Sequence, residues 1–449
     1  MCRDVQPQKR RTEADEPAAK EDIKMGSSIP AKRWRYVIPV AAIMYMLAYM
    51  DRINVGMILP YVDKSFHLTS ADSGLAAGIF FVGYMVLQIP GGLLASKWSA
   101  RKVVFILMML WGLSAIANGL VESKTQLYVA RFVLGVFEGG VWPAVLVLLA
   151  TWFPQQERAR ANALWMASLP LSAILMPPIT GWLLTFMSWR GVFIMEGIPP
   201  LVWGVLWWFL ISDRPSQAKW VSTEERNYIE STLSEENRSK GGSVGYRAAF
   251  TNKTVLWLIV AYFFWMAGFY GFTMWVPSVI KGFQGVGSST VVGWLTAIPF
   301  VFALISMLVN STWSDRRQKR QAHVAIPLLI GAFGLVGGQF FAHSPLMKMV
   351  FLIITGIGVY GPYGPLWAIP SSLLRLEVVG AAMGLINAIG NLGGFLGPYI
   401  VGYIKGATKS GYAGFLVLAV FLLITAVIST FLGSDKKAQT QEQPQQMAS

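Results

Sequence analysis

The chain has 449 residues, of which 54% are hydrophobic and only 13% charged, with a mean hydropathy of +0.50. A soluble domain carries roughly 25% charged residues, so this composition excludes one and indicates a polytopic membrane protein. The net charge of +14 does not indicate nucleic acid, because Lys and Arg gather at one set of loops, as the positive-inside rule requires.

Residues 1–30 are polar and mixed in charge, lack the apolar stretch of a secretory signal, and are expected to form a disordered cytoplasmic tail. The only cysteine, Cys2, lies there, so no disulfide framework is possible. Six apolar segments follow, at approximately 36–58, 73–95, 102–121, 126–150, 160–184 and 191–211, predicting an N-terminal six-helix bundle over 31–211. The first carries Tyr45, Tyr49, Asp51 and Arg52, the second Tyr84 and Gln88, the fourth Arg131 and Glu138, and the sixth Glu196.

A charged linker is predicted over 212–250, with Val221-Ser222-Thr223-Glu224-Glu225-Arg226 reading as a capped helix start. Six further segments at approximately 253–276, 289–311, 322–342, 346–367, 378–402 and 411–433 predict a C-terminal bundle over 251–433, with a second cytoplasmic tail over 434–449. Tyr262, Tyr270 and Trp275 fall in the seventh segment, Tyr360 and Tyr363 in the tenth, and Asn391 in the eleventh. The predicted fold class is an all-α membrane protein with twelve transmembrane helices in two pseudo-symmetric bundles, whose halves rock about a central site.

Lys32, Arg33, Arg35, Lys97, Arg101, Lys102, Arg158, Arg160, Arg316, Arg317, Lys319 and Arg320 fall on the side of the termini. Both termini are therefore expected in the cytoplasm. Asp51 and Glu138 then lie at similar depth, each roughly 18–23 Å from the entry point of its helix at about 1.5 Å rise per residue. Arg131 is two turns above Glu138 on the same face.

Ionisable residues in hydrocarbon are costly and mark functional sites. Arg52 offers a planar fork that matches a carboxylate bidentately. Asp51 and Glu138 can exchange protons when burial disfavours their charge. Ionised, they hold the arginine and repel an anion; protonation of one frees Arg52 for substrate. Tyr45, Tyr49, Tyr84, Gln88 and Asn391 extend the candidate pocket. Glu196 is expected to serve packing or a local hydrogen bond.

No nucleotide-binding Gly-rich lysine motif is present, so the energy source is an ion or substrate gradient. His67, His323 and His343 are far apart, and neither a metal site nor a cofactor is expected, the coupling ion being a proton. The reading is a transporter rather than an enzyme, acting as a monomer on a small organic anion in a lipid bilayer, without nucleic acid. An exchanger or facilitator of the same architecture, and a receptor or scaffold that senses an anion without moving it, remain as alternatives.

Three motifs carry a family resemblance: Tyr49-Met50-Asp51-Arg52-Ile53-Asn54, Arg131-Phe132-x-x-Gly135-x-x-Glu138-Gly139, and Trp152-Phe153-Pro154-x-x-Glu157-Arg158-x-x-Ala161. With them the chain resembles the major facilitator superfamily from end to end, and within it the anion:cation symporters. The resemblance implies proton-coupled import by alternating access across the bacterial inner membrane, with galactonate, glucarate, hexuronate, tartrate and phthalate carriers among the bacterial members. It implies protonation at Asp51 and Glu138, substrate contact by Arg52 and Asn391, and a coupling role for Arg131. A sugar acid is the expected substrate. Lys97, Arg101, Asp315 and Arg316 match the loops that gate the family's two halves. One departure is Ser96, which stands where the superfamily's loop usually has an aspartate, so one charged latch is weakened.

Overall fold

The computed structural model describes residues 31–239, 250–341, 344–374, 376–409 and 413–432. The expectations for both tails, for Cys2 and His343, and for the last part of the linker lie outside these residues. Every regular element among the described residues is a helix, and twelve are long and apolar enough to span a membrane. The first six are α1 (Lys32–Phe66), α2 (Ser70–Val86 and Gln88–Lys97), α3 (Ala100–Gly119), α4 (Lys124–Gly139 and Val141–Trp152), α5 (Gln155–Met166 and Ser168–Leu183) and α6 (Trp189–Leu210). The second six are α7 (Lys253–Lys281), α8 (Ser289–Arg317), α9 (Arg320–Phe340), α10 (Pro345–Tyr360 and Tyr363–Leu373), α11 (Leu376–Gly390 and Gly393–Thr408) and α12 (Ala413–Phe431).

Helix starts are written locally. Thr69 and Asp72 form a reciprocal capping box at α2, and Ser99, Ser123, Ser188 and Asn252 cap α3, α4, α6 and α7 with their side chains. Helix α1 runs well past the predicted apolar stretch, to a left-handed residue at His67 with φ 50°. Its polar last turn therefore projects beyond the apolar segment.

Five of the helices are interrupted, and four interruptions have one cause. A proline donates no hydrogen bond to the carbonyl four residues before it. Pro90, Pro143, Pro170 and Pro365 release the carbonyls of Val86, Gly139, Met166 and Gly361, where α2, α4, α5 and α10 break. The fifth break, in α11 at Asn391-Leu392, precedes the pair Gly393-Gly394. All five lie near mid-helix, at the depth of the central cavity. Irregular backbone at that depth is tolerated where it lines a cavity rather than lipid.

Twelve crossings return the chain to its starting side, here the near side, which also holds the linker. On the far side the two bundles touch backbone to backbone. A Cβ at Gly56 would collide with the Met274 carbonyl, and one at Gly74 with that of Pro398. Gly181 meets Ser289, and Gly293 meets Pro177, in the same way. The far halves of α2 and α11 pack along their length, whereas their near halves barely touch.

The linker helix (Thr223–Ser239) is fastened to the first bundle. Arg33 pairs with Glu225 at 2.8 Å and with Glu157 at 2.7 Å, and the Glu225 side chain is fully buried. Trp220 stacks on Trp152 at 5.1 Å and on Tyr36 at 4.6 Å. Ser222 Oγ accepts from the Glu225 amide at 3.2 Å, so the helix starts at the capping signal seen in the sequence.

Candidate functional site

A narrow, largely filled cavity of about 10 Å³ lies between the bundles at mid-depth. From the first bundle it is lined by Tyr45, Tyr49, Arg52, Tyr84, Trp142 and the α5 pair Met166 and Leu169. The second bundle contributes Tyr262, Met266, Phe269 and Tyr270 from α7, Tyr363 and Trp367 from α10, and Asn387 and Asn391 from α11. The breaks place several of them: Tyr84, Trp142, Met166, Tyr363 and Asn391 all sit within three residues of an interruption.

Arg52 is the one cation in this lining. Its Nε donates to Glu138 Oε2 at 3.0 Å, and both side chains are within 3% of complete burial. Its guanidinium carbon lies 4.4 Å from the centre of the Tyr84 ring, 5.3 Å from Phe80 and 5.7 Å from Tyr49. This cage holds the charge by cation–π attraction, favourable where water is excluded.

Asp51, the second acid expected beside Arg52, faces elsewhere. Its Oδ2 accepts from Trp111 Nε1 of α3 at 3.1 Å. Successive helical residues point about 100° apart, so adjacent Asp51 and Arg52 cannot serve one partner. Arg131 is fully buried rather than reaching for the boundary. It donates to the Asp51 carbonyl at 3.2 Å, and its ring neighbour is Phe80, at 5.2 Å. Glu138 Oε1 and the Arg131 Nε and Nη2 atoms are buried with no protein partner among the described residues. Glu196 forms the local bond expected of it: Thr180 Oγ1 lies 3.0 Å from Glu196 Oε1 and 2.7 Å from Asn54 Oδ1.

Tyr45, Tyr49, Tyr84 and Asn391 reach the cavity as the sequence suggested, and Gln88 sits at its near-side rim. There Asn387 Nδ2 donates across the bundles to Gln88 Oε1 at 2.8 Å. Trp142 and Trp367, with centroids 5.8 Å apart, cross the same level. The sequence reading missed Asn387, Trp142, Trp367 and Phe269. For Trp142 and Trp367 the prolines at 143 and 365 were the available signal, since each opens the helix close to one of them.

The four gating candidates are not joined into a latch. Lys97, Asp315 and Arg316 are exposed. Arg101 is tied within its own bundle, its amide donating to Asp213 Oδ1 at 2.9 Å and its guanidinium to the Trp208 carbonyl, over whose ring it lies at 4.4 Å.

The chain is similar to known proteins in sequence and in fold. Residues 41–398 and 283–448 match the Major Facilitator Superfamily. The chain is 35% identical to a putative tartrate transporter of Agrobacterium vitis over 90% of this chain and 91% of that one. It is 25% identical to the D-galactonate transporter of Escherichia coli, covering 93% and 99%. Its fold is similar to a bacterial homologue of the human lysosomal transporter Spinster, with a TM-score of 0.73 at 16% identity, covering 90% of this chain and 97% of that one. Twelve spanning helices in two bundles, a charged cavity at their junction and these relatives lead to one conclusion: the chain is a multi-pass membrane transporter belonging to the Major Facilitator Superfamily.

Proposed function

We propose that the protein imports an organic acid across the bacterial inner membrane together with protons, by alternating access, with Arg52 as the carboxylate receptor and Glu138 as the coupling acid. The observation that carries this reading is the buried Arg52–Glu138 pair at the edge of a cavity between two bundles. While Glu138 is ionised it neutralises the guanidinium. A proton on Glu138 leaves one uncompensated positive charge, which a substrate carboxylate then satisfies. The unpartnered Glu138 Oε1 and Arg131 nitrogens give a proton or water a place to act. Arg131 and Asp51 support the pair from α4 and α1, with Tyr45, Tyr49, Tyr84, Gln88 and Asn391 completing the substrate surroundings.

The near side carries most of the Arg and Lys residues and is read as cytoplasmic, which makes the packed far seam the outer gate. Exposed Lys97, Asp315 and Arg316 are free to engage when the near side closes. Relatives named for tartrate and galactonate support an organic acid, and a sugar acid would draw its hydroxyl contacts from the tyrosines. No cofactor is needed, and one chain is the working unit.

Glu138→Gln tests the coupling. It imitates the protonated acid, so uptake driven by a pH gradient is expected to disappear in proteoliposomes while substrate exchange persists. Undiminished gradient-driven uptake in that variant removes Glu138 from the coupling role. Substrate-induced proton uptake by the unaltered protein separates a symporter from an exchanger.

A further inference from the structure

Helices α8 and α9 are joined by a short turn, Gln318-Lys319, yet barely touch along their length, because each is seated on α10 behind them. A Cβ at Gly356 would meet the Pro299 carbonyl of α8, and one at Gly358 the backbone of Gly331 in α9. What remains between α8 and α9 is an open groove of about 410 Å³, floored by Ile357 of α10. Phe302, Ile305, Val309, Ile326 and Ile330 line it and are all exposed. Arg317 stands at its near end. From Phe302 to Arg317 the groove runs about 22 Å at 1.5 Å per residue, more than the roughly 15 Å depth of one hydrocarbon leaflet.

We infer that this groove binds an anionic glycerophospholipid of the near-side leaflet, with one acyl chain between the α8 and α9 walls and the phosphate on Arg317.

The near end of the groove is positive and unneutralised. Arg317 is exposed and makes no ion pair among the described residues. Its guanidinium carbon lies 5.9 Å from the centre of the Trp313 ring, one turn further in. A tryptophan beside a cation at a helix end belongs to the headgroup level of a bilayer. Asp315, the nearest acid in sequence, lies about 160° away around α8. Lys319 is exposed in the turn and adds to the positive field. Arg320 is committed elsewhere, donating to the Ala368 carbonyl at 2.6 Å. Basic pockets between spanning helices at this level hold anionic headgroups.

The polar floor is satisfied internally, apart from one atom. Pro327 and Pro365 leave the carbonyls of His323 and Gly361 without their helical donors. Asn310 Nδ2 donates to both, each at 2.7 Å. With its two amide hydrogens committed, Asn310 accepts through Oδ1, so His323 donates to it from Nδ1 at 2.8 Å. Nε2 is then the acceptor of the neutral ring, and it makes no hydrogen bond among the described residues. A hydroxyl on a glycerol headgroup is the donor that suits it.

Shape alone does not single out this groove. Another of about 440 Å³ lies between α3 and α4 on the far side, and no charged residue lines it. An acyl chain suits either one; the α8–α9 groove adds a cation where the phosphate would lie.

The test is native mass spectrometry of the purified full-length protein, with phosphatidylglycerol, phosphatidylcholine and diacylglycerol of matched chains as probes. Phosphatidylglycerol is expected to bind roughly fivefold or more tightly than either of the others, the scale set by one basic residue at a membrane surface. Arg317→Ala is expected to erase that preference with the melting temperature near its original value. Arg316→Ala removes the same charge outside the groove lining and is expected to keep the preference. Ile326→Trp fills the groove and is expected to displace phosphatidylglycerol. Equal binding of phosphatidylglycerol and phosphatidylcholine by the unaltered protein, or a preference that survives Arg317→Ala, overturns the inference. A dimer that Ile326→Trp dissolves would assign the groove to a second copy and overturn it as well. Should Ile326→Trp fold poorly, the comparison of Arg317→Ala with Arg316→Ala decides alone.

Discussion

At the scale of the residue, Arg52 combines a charge with a shape, and Arg52→Lys separates them. Lysine keeps the charge and loses the planar fork and its fit against Tyr84. Substrate affinity is expected to fall at least tenfold, about 1.4 kcal/mol, as measured by titration of the purified protein. An unchanged affinity would mean that Arg52 contributes only a field. The presence of these charges was legible in the sequence, because an ionisable residue inside an apolar run is conspicuous. Their partners were not. Asp51 and Arg52 are neighbours in the chain, yet the helical phase sends one to Trp111 and the other to Glu138. Asn387 escaped notice for a related reason: a lone asparagine in an apolar helix reveals nothing until its neighbour four residues on, Asn391, is seen to bond to it.

At the scale of the element, glycine decides how closely α2 and α4 cross. A Cβ at Gly135 would strike the Phe80 carbonyl, one at Gly139 the Tyr84 carbonyl, and one at Gly83 that of Phe132. Backbone on both sides leaves no side chain free to yield. This crossing holds Tyr84 beside Arg52 and Arg52 beside Glu138. Gly139→Ala is therefore expected to cost about 1–3 kcal/mol by overpacking and to reduce transport, with both visible in the melting temperature and the uptake rate. Gly406→Ala, where nothing lies within 4 Å, is the matched control and should change neither. The helix count followed from hydropathy. The interruptions were not anticipated, because a proline in a spanning helix is compatible with a continuous one. Pro39 and Pro277 lie inside uninterrupted helices.

At the scale of the whole molecule, the two bundles meet in a seam that is tight on the far side and thin on the near side. Duplication was legible as six plus six segments, whereas the state of the seam depends on contacts between residues hundreds of positions apart and leaves no local trace. The linker helix belongs to one partner only. Through the Arg33 ion pairs with Glu157 and Glu225 and the Trp152–Trp220–Tyr36 stack, it is bolted to the first bundle. The seam, rather than peptide continuity, is therefore expected to hold the two halves together. Two polypeptides, one ending at 239 and the other starting at 250, are expected to find each other in the membrane when co-expressed. They should copurify through a tag on either one and take up the same substrate. Failure of the halves to associate would show that peptide continuity, and not the seam, keeps the transporter whole.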